Sequence, residues 1–181
     1  MIKRMKTAVL CIGFLTPLPQ LASLAADTVS AAPVPTQILA AKKVFIANAG
    51  GDQPYYEEPL FSGGPERAYN QFYAAMKTWG RYELVGAPSD ADLLVEILFT
   101  VPRIEQRVVR GEAVLVPIPY DPQFRVVLRD PKSSALLWAL TEHAEWAILQ
   151  RNRDKNFDLA LAKVMTDVQG LSASADSANK P

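Results

Sequence analysis

Apolar residues along this chain follow two periods, and the switches between them outline a fold. Lys43-Val-Phe-Ile-Ala47 is a short β-branched and aromatic run, the pattern of a buried strand. Beyond it, Tyr69, Phe72, Met76 and Trp79 recur at three- and four-residue steps, which stacks them on one helix face. Pro65 suits the first position of that helix, Glu66 suits its positive end, and Gly80 supplies the left-handed residue that stops it. Tyr82–Val85 is a short strand and Gly86–Asp90 a turn. Asp92–Thr100 is a longer strand, with Leu93, Val95, Ile97 and Phe99 on one side and Leu94, Glu96, Leu98 and Thr100 on the other. A second helical stripe, Phe157, Leu161, Val164, Met165 and Val168, starts near Asn152 or Asp154 and has Gly170 as its expected stop.

Phe124–Arg129 and Leu136–His143 read as a hairpin, because Asp130-Pro131 fills the first two positions of a type I turn. With Arg129 opposite Ala135, the expected pairs are Leu128 with Leu136, Val126 with Trp138 and Phe124 with Leu140, all on one face. A slip of one residue would turn Arg125 and Arg129 into that apolar row. The opposite face carries Arg125, Val127, Arg129, Ala139, Thr141 and His143. Val108–Val116 is either a hairpin about Gly111 or a flap. The order strand, helix, strand, strand, flap, strand, strand, helix predicts an α+β fold: a mostly antiparallel sheet of about five strands with two helices packed on one face.

The ends of the chain set its expected location. Lys3, Arg4 and Lys6 precede an apolar run from Ala8 to Leu15, followed by the small-residue stretch Leu21–Ala26, the order of a secretory signal peptide. Ser23 and Ala25 place cleavage after Ala25, so 1–25 is the signal, 26–41 a linker, 42–171 a single domain and 172–181 a disordered tail. The apolar run is well short of the ~20 residues a membrane span needs. The protein is therefore expected to be exported, to the periplasm or beyond, without a transmembrane span. Cys11, the single cysteine, lies inside the signal and lacks the small residues a lipid-attachment site wants before it. Loss of Lys3, Arg4 and Lys6 leaves 16 basic residues of the original 19 against 19 acidic ones. Such a chain has no pull toward nucleic acid.

Several phrases look familiar together: Ala68–Gly80, Tyr82-Glu-Leu-Val85, Asp90-Ala-Asp-Leu93, Arg129-Asp-Pro-Lys132 and Leu137-Trp138. They resemble an uncharacterised family of secreted bacterial proteins. The layout is similar to small α+β envelope domains of outer-membrane lipoproteins and assembly accessory factors. The resemblance spans about Lys42–Leu171 and lies in core and turn residues, so it implies an envelope module and carries over no active site.

Candidate chemistry is sparse. His143, the single histidine, stands beside Glu142 and Glu145, a possible general base oriented by a carboxylate, or a half-exposed strand end. Asp154, Asn156 and Asp158 have the spacing that begins a calcium loop, but Leu159 and Met165 occupy the positions of the required glycine and glutamate. Glu57-Glu58 and Glu142/Glu145 are candidate carboxylate pairs. Gly63-Gly64 meets a helix start without the Lys-Ser/Thr of a phosphate loop. One histidine and no mature thiolate serve zinc poorly, and no metal or cofactor is expected. The reading is an exported, non-catalytic envelope module, not an enzyme, that binds a protein or cell-wall glycan partner through Arg125, Arg129, Thr141, Tyr55, Tyr56 and Tyr120. The alternative is a small envelope hydrolase using carboxylates and His143.

Overall fold

The structure is a computed structural model and describes residues 32–51, 60–103, 108–109, 112–113 and 120–178. Its elements, in chain order, are α1 (Thr36–Ala40), β1 (Lys43–Asn48), α2 (Arg67–Trp79), β2 (Glu83–Leu84), β3 (Leu93–Thr100), β4 (Val108–Val109), β5 (Glu112–Ala113), β6 (Gln123–Arg129), β7 (Leu136–His143) and α3 (Gln150–Ala178). Five strands form one sheet in the order β2-β1-β3-β6-β7. β1 runs parallel to β2 and β3, while β3, β6 and β7 are antiparallel neighbours, so the fold is α+β and mostly antiparallel. β4 and β5 pair as a separate hairpin across 110–111, the first of the two expected forms.

Strand parity sorts the sheet into two faces. Val44, Ile46, Leu93, Val95, Ile97, Phe99, Phe124, Val126 and Leu128 are all buried on one of them. α2 and α3 pack there, presenting Phe72 and Met76 from one helix and Phe157, Leu161, Val164 and Val168 from the other. α2 ends as its sequence predicts: Gly80 adopts φ 69°, and its N–H donates to the carbonyl of Met76.

Both ends of the folded unit extend past their expected limits. The segment read as a linker contains α1, whose Ile38 is 1% exposed within the core. Ile38 binds this proline-rich stretch to the fold together with Val34 and Ala41, which pack with the same core. At the other end, α3 runs through Gly170 instead of stopping there. A helical glycine costs about 1 kcal/mol relative to alanine, too little to end a helix held by tertiary contacts. Ser172, read as the start of a disordered tail, is buried, with its hydroxyl 2.8 Å from that of Tyr82.

The β6–β7 register is corrected by two residues. Arg129 pairs with Leu136, but Leu128 then pairs with Trp138, Val126 with Leu140 and Phe124 with Glu142. A bulge at Leu137 absorbs the shift, and because two is the side-chain period the residues from Trp138 onward keep their expected faces, whereas Leu136 turns to the face of Arg129 and is 56% exposed. Trp138 is consequently half-buried. The turn is longer than type I: Ser134 takes φ 58° and donates its N–H to the Asp130 carbonyl at 2.8 Å, while the Asp130 N–H donates to Ala135 at 3.0 Å. The Asp130 carboxylate organises it, accepting from the Ser133 hydroxyl at 2.6 Å, the Lys132 N–H at 3.1 Å and the Gln37 amide of α1 at 3.0 Å.

Four rings lock the sheet to α3. Phe99, Phe124 and Phe157 have centroids 4.7 to 4.8 Å apart, and Phe61 adds an edge contact to Phe99 at 5.2 Å. Gly51 seals the same end of the core, since a Cβ there would come 2.0 Å from the Phe99 carbonyl oxygen.

Two outcomes follow from this packing. Gly51→Ala forces backbone apart and should cost about 1–3 kcal/mol by chemical denaturation; an unchanged midpoint would show that 49–51 lifts freely. The hydrogen bonds from Ser133, Lys132 and Gln37 hold the Asp130 carboxyl down at about 2, from an ordinary 3.8. Its contribution is therefore complete above 3.8 and lost as pH falls toward about 2. Asp130→Ala should flatten the acid limb of stability in that window, and a curve parallel to wild type would contradict this.

Candidate functional site

The sheet face away from α2 and α3 carries the expected site residues of β6 and β7. Across the strands it presents Phe45, Leu94 and Arg129 in one row, Ala47, Glu96, Val127 and Ala139 in the next, then Leu98, Arg125 and Thr141. Phe45, Leu94 and Leu98 are half-buried, Val127 is buried, and Arg125, Ala139 and Thr141 are exposed. The face is thus an apolar floor with polar groups along the β7 side.

The two arginines differ in chemistry. Arg129 donates through Nε to Glu96 at 3.1 Å and through Nη1 to the Ser134 carbonyl at 3.3 Å, so its fork is largely used within the protein. Arg125 has no hydrogen-bond or ion-pair partner among the described residues, and it stands between Leu98 and Thr141. Tyr120 is placed elsewhere: its ring lies 4.7 Å from that of Trp146 and packs against the core at one end of the sheet. Tyr55 and Tyr56 lie outside the described residues.

His143 stands at the same end of the sheet as Tyr120. Its Nδ1 is 2.6 Å from an Asp121 carboxylate oxygen, and both side chains are substantially exposed. The partner is thus neither Glu142 nor Glu145. Glu142 instead accepts from Lys163 of α3 at 2.6 Å, which holds its carboxyl below the usual range. Asp167 is pushed up by burial and by the neighbouring Glu142. Asn156, Leu159, Ala160 and Lys163 of α3, with His143 and Glu145, line a shallow groove of about 190 Å³ along this edge.

The arrangement offers an imidazole–carboxylate pair, and no hydrogen bond joins it to a serine among the described residues. Ser62 is bound to Asp154 and Ser172 to Tyr82. Ser133 and Ser134 lie beyond the far end of β7 from His143, roughly 23 Å away at about 3.3 Å per residue. Glu57 and Glu58 lie outside the described residues. Among the described residues, no group of three or more His, Cys, Asp or Glu is placed to hold a metal ion. No helix among them is long and apolar enough to cross a membrane.

The acids that resembled a calcium loop have a structural task. Asp154 and Asp158 each accept from Arg67 at 2.7 Å, and Asp154 also receives the Ser62 hydroxyl and N–H. Burial opposes ionisation of Asp154, but hydrogen bonds from Ser62 and Arg67 outweigh it and leave the carboxyl lowered. Asp92 likewise accepts the backbone N–H groups of Lys43 and Lys42, which lower its carboxyl and tie the β3 entry to β1. Asp121 and Lys163 were not apparent in the sequence. The corrected register could have revealed Asp121, since it puts Gln123 opposite His143 and leaves Asp121 two residues farther on the same face.

No protein-family model matches the chain, and no curated protein matches it. Among solved structures, a DUF330-family protein from Xanthomonas campestris is 15% identical, with a TM-score of 0.47 over 85% of this chain and 97% of that one. A neuraminyllactose-binding haemagglutinin homologue from Helicobacter pylori is 11% identical, with a TM-score of 0.40 over 75% and 91%. An uncharacterised lipoprotein B from Nitrosomonas europaea is 17% identical, with a TM-score of 0.35 over 83% and 92%. The chain is similar to bacterial proteins that include a lipoprotein and a haemagglutinin homologue, and none of the three is named for a catalytic activity.

Proposed function

We propose that this protein is an exported, non-catalytic module of the bacterial envelope that binds a protein or cell-wall partner on its open sheet face. The observation that carries the reading is Arg125, exposed and without an internal partner among the described residues, beside the apolar floor of Leu98 and Val127. Arginine supplies a planar fork of donors suited to carboxylate or carbonyl acceptors, and it recurs at the energetic centres of interfaces. Thr141 adds a hydroxyl directly across from it, and Arg129 contributes chiefly by fixing Glu96 within the face. Export rests on the basic, apolar and small-residue order of 1–25.

The second reading, a small hydrolase, draws on the 2.6 Å contact between His143 and Asp121, which would orient an imidazole as a general base. The absence of an adjacent serine among the described residues weighs against nucleophilic catalysis there.

Capture from envelope extract on the immobilised protein, followed by titration of the purified partner, tests the binding reading. Arg125→Ala should weaken affinity at least about tenfold, or about 1.4 kcal/mol, while His143→Ala leaves it within about twofold. Unchanged binding by Arg125→Ala, together with a turnover abolished by His143→Ala, would replace the module with the enzyme.

A further inference from the structure

β7 is an edge strand, and its backbone directions are fixed by its neighbours. The Ala144 N–H donates to Pro122 and the Asp121 N–H donates to Pro102, so even-numbered residues of β6 bond toward β7 and odd-numbered ones toward β3. The outward N–H and C=O groups of β7 therefore belong to Ala139, Thr141 and His143. All three side chains are exposed on the open face. The strand, Leu136-Leu-Trp-Ala-Leu-Thr-Glu-His143, holds none of the lysines or prolines that commonly blunt an edge. Its bulge at Leu137 disturbs only the first residues and leaves 138–144 regular, a segment whose middle residue is Thr141.

We propose that β7 pairs antiparallel with β7 of a second copy of this chain, about a two-fold axis through Thr141. This register is the one that uses the whole regular segment. It sets Thr141 against Thr141 and Ala139 against His143, each through outward backbone groups. Threonine pairs are favourable across antiparallel strands, and no like charges meet. The backbone of another extended strand matches such a row of donors and acceptors in register.

Charge on α3 supports the same axis. Asn156 donates to the Glu145 carbonyl and Lys163 to the Glu142 carboxylate, so α3 runs antiparallel to β7 along its edge. Seven helical residues rise about 10.5 Å and three strand residues about 10 Å, so the level of Thr141 falls near residue 165 of α3. Rotation about the axis then brings Lys163 of one copy level with Asp167 of the other. Leu159, 59% exposed on this side of α3, gains apolar cover. The two open faces become continuous, with the Arg125 pair roughly 14 Å apart, about three strand spacings.

The pairing stands apart from partner binding and is read without a partner. Sedimentation of the purified full chain up to about 0.1 mM should show a dimer, with the amides of Ala139, Thr141 and His143 gaining protection from exchange as concentration rises. Thr141→Lys and Thr141→Asp each oppose like charges at the axis and should weaken the dimer at least tenfold, while an equimolar mixture restores it. The exposed site lets both variants fold, which circular dichroism confirms. A monomer throughout, a dimer indifferent to both substitutions, or a mixture that stays monomeric would overturn the proposal. So would edge protection that appears only with envelope extract, since the occupant would then be another protein's strand.

Discussion

The fold depends on an aromatic core end roofed by one arginine. Phe61, Phe99, Phe124 and Phe157 come from a loop, two strands and a helix, and their rings meet within 4.7 to 6.0 Å. Arg67 lies over one of them, its guanidinium carbon 4.1 Å from the Phe157 centroid. A cation in the first turn of a helix opposes the helix dipole, so Arg67 needs compensation. Asp154 and Asp158 supply it from α3, and the Ser62 carbonyl takes a further N–H at 3.1 Å. One side chain thereby joins the starts of both long helices and the loop between β1 and α2.

This clamp explains how labour is divided between the two sheet faces. Structural ion pairs and rings gather on the helix side, where burial strengthens them, and they leave the far face with little structural duty beyond Glu96–Arg129. Arg125, Thr141 and the outer edge of β7 can then serve recognition without weakening the core. His143 belongs to the same border, but Asp121 answers its imidazole, and the residues around it are acids and a lysine already engaged with α3.

What the sequence disclosed follows from which signals are local. The α2 stop at Gly80 and the parity of β3 and β6 depend on neighbours within a few residues, and both are found as expected. The β6–β7 register depends on a bulge at Leu137, and a two-residue slide leaves the hydrophobic pattern unchanged, so the pattern could not reveal it. The linker and tail readings missed Ile38 and Ser172, single residues whose partners are distant in sequence. Of the site, the face of Arg125 and Thr141 followed from parity alone. The packing of Tyr120 on Trp146 and the pairing of Asp121 with His143 required the folded chain.

The central claim is that the helix side carries the stability and the open face carries little of it. Urea denaturation of Arg67→Met beside Arg125→Met tests it directly, since both remove an arginine and keep an aliphatic stem. Removing Arg67 strands the Asp154 carboxylate at the edge of the core, while Asp158 stays solvated, and should cost about 3 kcal/mol, the lower end of the scale for breaking a buried pair. Removing Arg125 should change stability by no more than about 0.5 kcal/mol, as for an exposed residue without a partner among the described residues. Equal losses in the two variants, or a larger one at Arg125, would contradict the account.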